Sequence, residues 1–299
     1  MIEFSAMNST IRLCGIEASF QERVQSLFLQ FEQTASRFLP DNPLADLNHS
    51  PLDVPVYLEE TLAELLWKSI VLSRKVNYVI HPFIGDVMKS IGYTSSFSSD
   101  FNPKMDGIQS QQASFWEEPI EKIASRWIIK KRNFSFDFGG FGKGYIVDKA
   151  INLLHKENVK DALVNAGGDL YAIGRHQVGI EHPLLKGKDM LRFYIEDNSL
   201  ATSGKNLRTW SSKGKRYHHI VNGRTGAVAN NGVLQASAIA STVMEAETIS
   251  KVFCILPFKE AKALVTKQFS NFAYFIYFDN SQMAVGGNST LYSDLEVAI

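Results

Sequence analysis

The chain has 299 residues with 31 basic and 31 acidic side chains, so its formal charge is zero. No bulk electrostatic attraction to nucleic acid or to an anionic membrane follows from that balance. Apolar residues make up 45%, enough for a sizeable core, and only two cysteines occur, Cys14 and Cys254, without the spacing of a zinc site or a disulfide framework; buried free thiols are expected.

The N-terminus shows no basic segment followed by an apolar leader, and no stretch approaches the roughly 18 continuous apolar residues of a bilayer span. A cytoplasmic protein with no membrane association is expected. Residues 2–14 alternate like a first strand, interrupted by the polar Met7-Asn8-Ser9-Thr10. Gln21 to Thr34 carries an apolar stripe (Val24, Leu27, Phe28, Phe31) behind Ser19 as a cap, and 59–76 carries another. Between them, Ser36 to Pro43 has the proline-rich chemistry of a loop. His81-Pro82-Phe83-Ile84-Gly85 breaks the pattern, and residues 94–117, rich in Ser, Asp, Asn and Gln, form an expected exposed excursion.

Trp127–Lys130 and Asn133–Phe136 alternate like two strands around a Lys-Arg-Asn turn, and Tyr145 to Glu157 has helical spacing. Strands are expected at 161–165, 170–173, 178–181, 191–195, 200–203, 217–221 and 236–240. A helix over 242–256, another over 258–268, and strands at 272–278 and 283–285 close the chain. This mixture implies an α+β fold with a mainly antiparallel sheet and packed helices.

Chemistry concentrates at a few places. Gly139-Gly140-Phe141-Gly142-Lys143-Gly144 puts four glycines and a lysine where a strand hands over to a helix. Such a turn can aim several N–H groups at one anion, with Lys143 adding a charge suited to a diphosphate. It reads equally well as a glycine-rich turn with a solvated lysine, and neither standard nucleotide fingerprint fits. Asn165-Ala166-Gly167-Gly168-Asp169 reads as a ligand-facing strand end or, more simply, a hairpin turn. Thr202-Ser203-Gly204 offers hydroxyl and backbone donors to a phosphate, a common feature of ordinary turns. His218 and His219 end a strand beside Asn222-Gly223-Arg224-Thr225-Gly226, and at most one of the two points into any given site. Glu247 and Lys251 are four apart on one helix, the spacing of an ion pair.

The order of these motifs resembles the ApbE-type FAD:protein FMN transferase family across essentially the whole chain. Ser36-Arg37-Phe38-Leu39-Pro40-Asp41 through Asn48 is similar to one family motif and Asp137 to Asp148 to the next. Asn165 to Asp169, Thr202 to Gly204 and His219 to Gly226 supply three more. The resemblance implies a single flavin-transferase domain over 1–299, related to the T-fold, with FAD held between two subregions. It implies transfer of FMN from FAD to a Thr or Ser hydroxyl of a target flavoprotein, with release of AMP. By the same resemblance Met7, Gly140, Lys143, Asp148, Asn165, Gly167, Gly168, Ser203, Gly204 and Thr225 would line the FAD site. His219 would be the general base, with Lys143 at the phosphates.

The family also binds Mg²⁺ through a glycine-turn carbonyl and a helical Asp and Thr four residues apart. Gly142 stands at the carbonyl, but Glu247 and Lys251 stand at the Asp and the Thr. A protonated lysine cannot ligate a metal, so Mg²⁺ is placed in question and the Lys251 ammonium is expected in its stead. Asn222-Gly223 likewise replaces the family's Asp-Pro. A relative that binds FAD without transferring FMN is the alternative reading.

Overall fold

Met7 and Asn8 both adopt left-handed backbone, with φ of 52° and 55°. That pair of positive angles makes a two-residue hairpin turn, so the polar interruption folds the first segment back on itself as β1 (Ile2–Ala6) and β2 (Ser9–Cys14). A computed structural model describes residues 1–97, 101–103, 118–212 and 214–298, so most of the 94–117 excursion lies outside the described residues. The chain continues through α1 (Ala18–Ala35), α2 (Pro43–His49), β3 (Pro55–Tyr57), α3 (Glu60–Lys75), α4 (Gly85–Ser90), β4 (Ile120–Ala124) and β5 (Trp127–Lys130). Next come α5 (Gly142–Lys156), β6 (Ala162–Ala166), β7 (Asp169–Glu181), β8 (Asp189–Gly204), β9 (Thr209–Ser212) and β10 (Lys215–His218). Last are β11 (Val233–Ala240), α6 (Val243–Ile255), α7 (Phe258–Gln268), β12 (Phe272–Phe278), β13 (Met283–Gly287) and β14 (Ser293–Val297).

Two compact units emerge. The first comprises Met1–Phe28, Lys143–Leu207 and Asn230–Ile299. It is built on a sheet ordered β1-β2-β6-β7-β8-β11-β12-β13, with β14 also on β8 and every pairing antiparallel. The segment Phe272–Phe278 is buried on both faces. Ala273, Phe275 and Tyr277 enter an apolar cluster with Phe193, Ile195, Leu200 and Ile239. On the other face the Tyr274 ring meets Phe253 of α6 at 4.8 Å. The helix α6 packs on β8, β11 and α7 and is buried nearly all round, with the polar Glu247, Thr248 and Ser250 among its buried residues.

The second unit comprises Leu29–Gly142 and Arg208–Ala229. It holds the three-stranded sheet β3-β5-β4 and the β9–β10 hairpin. Tyr93 stacks on Trp210 at 5.5 Å, and the Trp210 indole N–H donates to the Ile91 carbonyl at 2.8 Å. The expected loop holds over residues 36–42, and the unforeseen α2 begins at Pro43. Asn42 caps that helix by accepting from the Ala45 N–H at 2.7 Å, and Pro43 takes the first helical position, where its missing N–H costs nothing. Ser19 falls inside α1, which already begins at Ala18, so it is not the cap.

The second expected strand, Asn133–Phe136, joins no sheet. Its backbone groups find partners outside any ladder: the Ser135 carbonyl accepts from Gly85, and the Phe136 N–H donates to Asn48 Oδ1 at 2.6 Å. The neighbours of β5 are β3 and β4. The separate strands expected at 170–173 and 178–181 are one long β7, those at 191–195 and 200–203 are one β8, and the strand at 217–221 ends at His218. Of the two thiols, Cys254 is buried and Cys14 only half-buried.

His81 ties the second unit together. Its Nδ1 accepts from the Phe83 N–H at 3.1 Å and its Nε2 lies 3.0 Å from the Gly223 carbonyl, so Nε2 carries the proton and the ring is neutral. Burial pushes its pKa down to about 4. The unfolded chain binds a proton near pH 6.5 and the folded one does not, so this stabilisation is complete above 6.5 and disappears as pH falls through 4. We expect about 3 kcal/mol to be lost over that window. Urea unfolding at pH 7 and pH 4 should show that decline in the native protein and a clearly smaller one in His81→Gln.

Candidate functional site

The antiparallel register gathers the motifs of the first unit at one end of its sheet. Ile11 pairs with Ala166, Ala166 with Asp169, and Leu170 with Leu200. The Met7–Asn8 turn, the Gly167–Gly168 turn and the end of β8 therefore lie side by side. Gly167 and Gly168 have φ of 67° and 97°, and Asn165 Oδ1 accepts from the Gly168 N–H at 2.8 Å. This is the hairpin turn that the simpler reading expected. A Cβ on Gly167 would sit 2.9 Å from Ser9 Oγ, whereas one on Gly168 would meet nothing within 4 Å, so Gly168 presents bare backbone to open space.

Lys143, at the start of α5, forms a short ion pair with Asp169. Asp169 is almost wholly buried, and its second oxygen accepts from the Thr202 N–H at 3.2 Å. One carboxylate thus links Lys143, the glycine hairpin and the Thr202–Gly204 strand end. Ser203 turns toward α6, with its hydroxyl 2.8 Å from that of Ser250. The Ser203 carbonyl accepts from the Cys254 thiol at 3.3 Å. Burial pushes that thiol's pKa up to about 12, so Cys254 is inert as a nucleophile.

The contact of α5 with α6 is equally defined. Asp148 accepts from the backbone N–H groups of Val243 at 2.8 Å and Met244 at 3.1 Å, closing the N-terminus of α6 alongside the Thr242 cap. A Cβ on Gly144 would lie 2.8 Å from Met244 backbone atoms, so only glycine permits the approach. Glu247 is fully buried, and its two oxygens divide between the Gly144 N–H at 3.0 Å and the Lys251 ammonium at 2.8 Å. Among the described residues no three His, Cys, Asp or Glu side chains converge as a metal site.

Gly140, Gly142, Thr225 and His219 belong to the second unit. Gly142 donates to the Phe138 carbonyl at 2.7 Å as the glycine turn winds into α5. Asp137 fixes that turn: one oxygen accepts from Gly139 at 2.6 Å, and the other pairs with Arg37 Nε at 2.7 Å, both side chains buried. The Arg37 guanidinium also covers the Phe38 and Tyr93 rings at 4.2 and 4.7 Å. His218 is committed to backbone, since its Nδ1 accepts from Ile220 and its Nε2 lies 2.9 Å from the Ala229 carbonyl. His219 follows at a half-buried bend. The loop after it is closed by Asn222, whose carbonyl accepts from Thr225 and Gly226, while Gly223 donates to the Val79 carbonyl. Arg37, Asn48 and His81 have structural roles that the sequence reading did not assign. The position of Arg37 and Asn48 inside a recognised motif was the available signal.

A model of the ApbE family matches residues 5–276. The chain belongs to the ApbE family. Among its relatives, the FAD:protein FMN transferase of Treponema pallidum (strain Nichols) is 26% identical over 288 residues, covering 89% of this chain and 79% of that one. The FAD:protein FMN transferase of Klebsiella pneumoniae (strain 342) is 22% identical over 240 residues, covering 79% and 75%. The crystal structure of the ApbE protein of Thermotoga maritima superposes with a TM-score of 0.79 at 20% identity, covering 97% and 96% of the two chains. The flavin transferase ApbE of Vibrio cholerae gives 0.78 at 17% identity, covering 97% of each. At these identities the likeness establishes the shared α+β fold.

Two substitutions check this arrangement. Gly144→Ala must force α5 and α6 apart, and we expect a loss of about 2–4 kcal/mol, read as a fall in denaturation midpoint. Gly168→Ala meets only backbone strain, about 1 kcal/mol, and should melt closer to the native protein. Equal losses would contradict the close approach at Gly144.

Proposed function

We propose that this ApbE-family chain is an FAD:protein FMN transferase. The support is the family match through residues 5–276, which takes in every motif from the glycine turn to the His219 loop. FAD is the substrate, and a Thr or Ser hydroxyl of a target flavoprotein is the acceptor. In the reaction the acceptor oxygen forms a bond to the FMN-side phosphorus while the diphosphate P–O bond breaks, leaving FMN on the acceptor and AMP as the departing group.

His219 takes the hydroxyl proton. It stands at the position of the family motif's histidine, at the bend that follows β10, and the Asn222–Gly226 loop holds the segment behind it. A base held within hydrogen-bond reach of a hydroxyl contributes about 10²- to 10⁴-fold. Lys143, positioned by buried Asp169, places a cation beside the Gly167–Gly168 turn and the Thr202–Gly204 strand end. That is the chemistry a diphosphate requires. Met7 and Asn165 shape the same sheet end through their turns, and Asp148 contributes by fixing α6.

The family's Mg²⁺ does not fit these residues. Both Glu247 oxygens are already engaged, and the neighbouring position carries an ammonium rather than an oxygen donor. No step of the reaction is therefore assigned to a metal.

Incubation with FAD and a flavoprotein acceptor should attach FMN to the acceptor and release one AMP per transfer, measured by mass spectrometry and chromatography. His219→Ala should slow transfer by about 10²-fold or more while FAD affinity is retained. Tight FAD binding without AMP release from the native protein would instead establish a binding-only relative.

A further inference from the structure

The Glu247–Lys251 pair is misplaced for an ordinary surface salt bridge. Glu247 is fully buried and the Lys251 side chain is only 14% exposed. Removing two charges from water costs more than a single contact returns unless further bonds satisfy them. Glu247 meets that condition with the Gly144 N–H and the ammonium. Lys251 does not. It carries three N–H donors, and Glu247 is its one hydrogen-bond or ion-pair partner among the described residues. A cation held this rigidly, mostly out of solvent and with donors to spare, is built to meet an anion.

Its location says which anion. Through the two oxygens of one carboxylate, Lys251 is joined to the Gly144 N–H in the first turn of α5, next in sequence to Lys143. The residue before Lys251 in α6, Ser250, has its hydroxyl 2.8 Å from that of Ser203 in the phosphate-suited strand end. The ammonium thus belongs to the group of residues proposed to hold the FAD diphosphate.

We propose that the Lys251 ammonium, fixed by Glu247, takes the place of a divalent cation, so that this chain binds the FAD diphosphate without metal. The inference rests on the reading of FAD as substrate. The swap is internally consistent. A Glu/Lys pair is neutral and self-contained, whereas a helical Asp four residues before a Thr leaves a negative charge and an oxygen donor that call for a metal. The longer glutamate arm also reaches its own lysine one turn on, in the favoured Glu-before-Lys order.

The test is FAD titration by calorimetry in EDTA and in excess Mg²⁺, with Mn²⁺ alone as a paramagnetic probe of metal binding. The native protein should bind FAD with the same affinity in both buffers and leave the Mn²⁺ spectrum unchanged. Lys251→Met leaves a buried carboxylate unpaired and is at risk of misfolding. The decisive variant is therefore the double change Glu247→Asp with Lys251→Thr, its folding verified by circular dichroism. In EDTA it should bind FAD about 10- to 100-fold more weakly than the native protein, the worth of a charge-assisted bond, and Mg²⁺ should restore the loss. FAD binding by the native protein only with Mg²⁺, or a double variant as tight as native in EDTA, would overturn the lysine assignment while leaving the transferase reading intact. No FAD binding in either buffer would overturn the transferase reading itself, and this inference with it.

Discussion

The first unit depends on how closely α5 and α6 approach. The Met244 backbone occupies the space a side chain at residue 144 would fill, and that proximity sets the chemistry around it. With the helices this close, Asp148 reaches the first N–H groups of α6 and Glu247 reaches back to the N–H of Gly144. Each helix thus supplies a carboxylate to the other's unsatisfied N-terminal donors or backbone. Lys143, one residue before the contact, is delivered to Asp169 by the same constraint. A glycine whose role is to be absent thereby governs the placement of three charged groups.

Much of this was legible in the chain. The helices over 59–76, 242–256 and 258–268 and the strand at 272–278 follow from apolar spacing, because each buries a face or is buried throughout. The glycine hairpin at 165–169 was legible as a turn because two glycines leave few other conformations. What failed did so for physical reasons. Asn133–Phe136 alternates like a strand, yet two side chains, Asn48 and Asp86, and the first N–H of α4 satisfy its hydrogen bonds. Periodicity reports burial and is silent about which group answers an N–H. The helix α2 was hidden by Pro40 before it and Pro43 at its first position, although Asn42-Pro43 is also the chemistry of a helix start.

The candidate site shows the same division. Motif order brought Lys143, Asn165, Gly167, Gly168 and Ser203 onto one list; antiparallel register places the last four at one end of a sheet, and the ion pair with Asp169 brings Lys143 of α5 to it. Their individual duties were not readable. Asp148 fastens a helix, Ser203 faces a serine of α6, and Arg37 stiffens the glycine turn through Asp137. Neutral histidines serve as braces at His81 and His218, where a backbone N–H donates to Nδ1 in each. A residue type announces which chemistry is available; only its neighbours decide whether that chemistry is spent on structure.

The order in which the chain is synthesised meets an awkward schedule here. The strand β2 finds its neighbour β6 only after about 150 further residues have appeared, and the second unit is completed by a segment that emerges after most of the first. Closing such long loops costs entropy before any contact repays it, and sheets assembled from distant segments fold slowly. Until β6 arrives both edges of the β1–β2 hairpin lack a partner strand, and β1 remains a sheet edge in the finished fold. The hairpin's alternate exposed charges, Glu3 and Arg12, pair across it at 2.6 Å. Charged edges discourage the association of strands between chains, so this outlying ion pair guards the nascent molecule against aggregation during the wait.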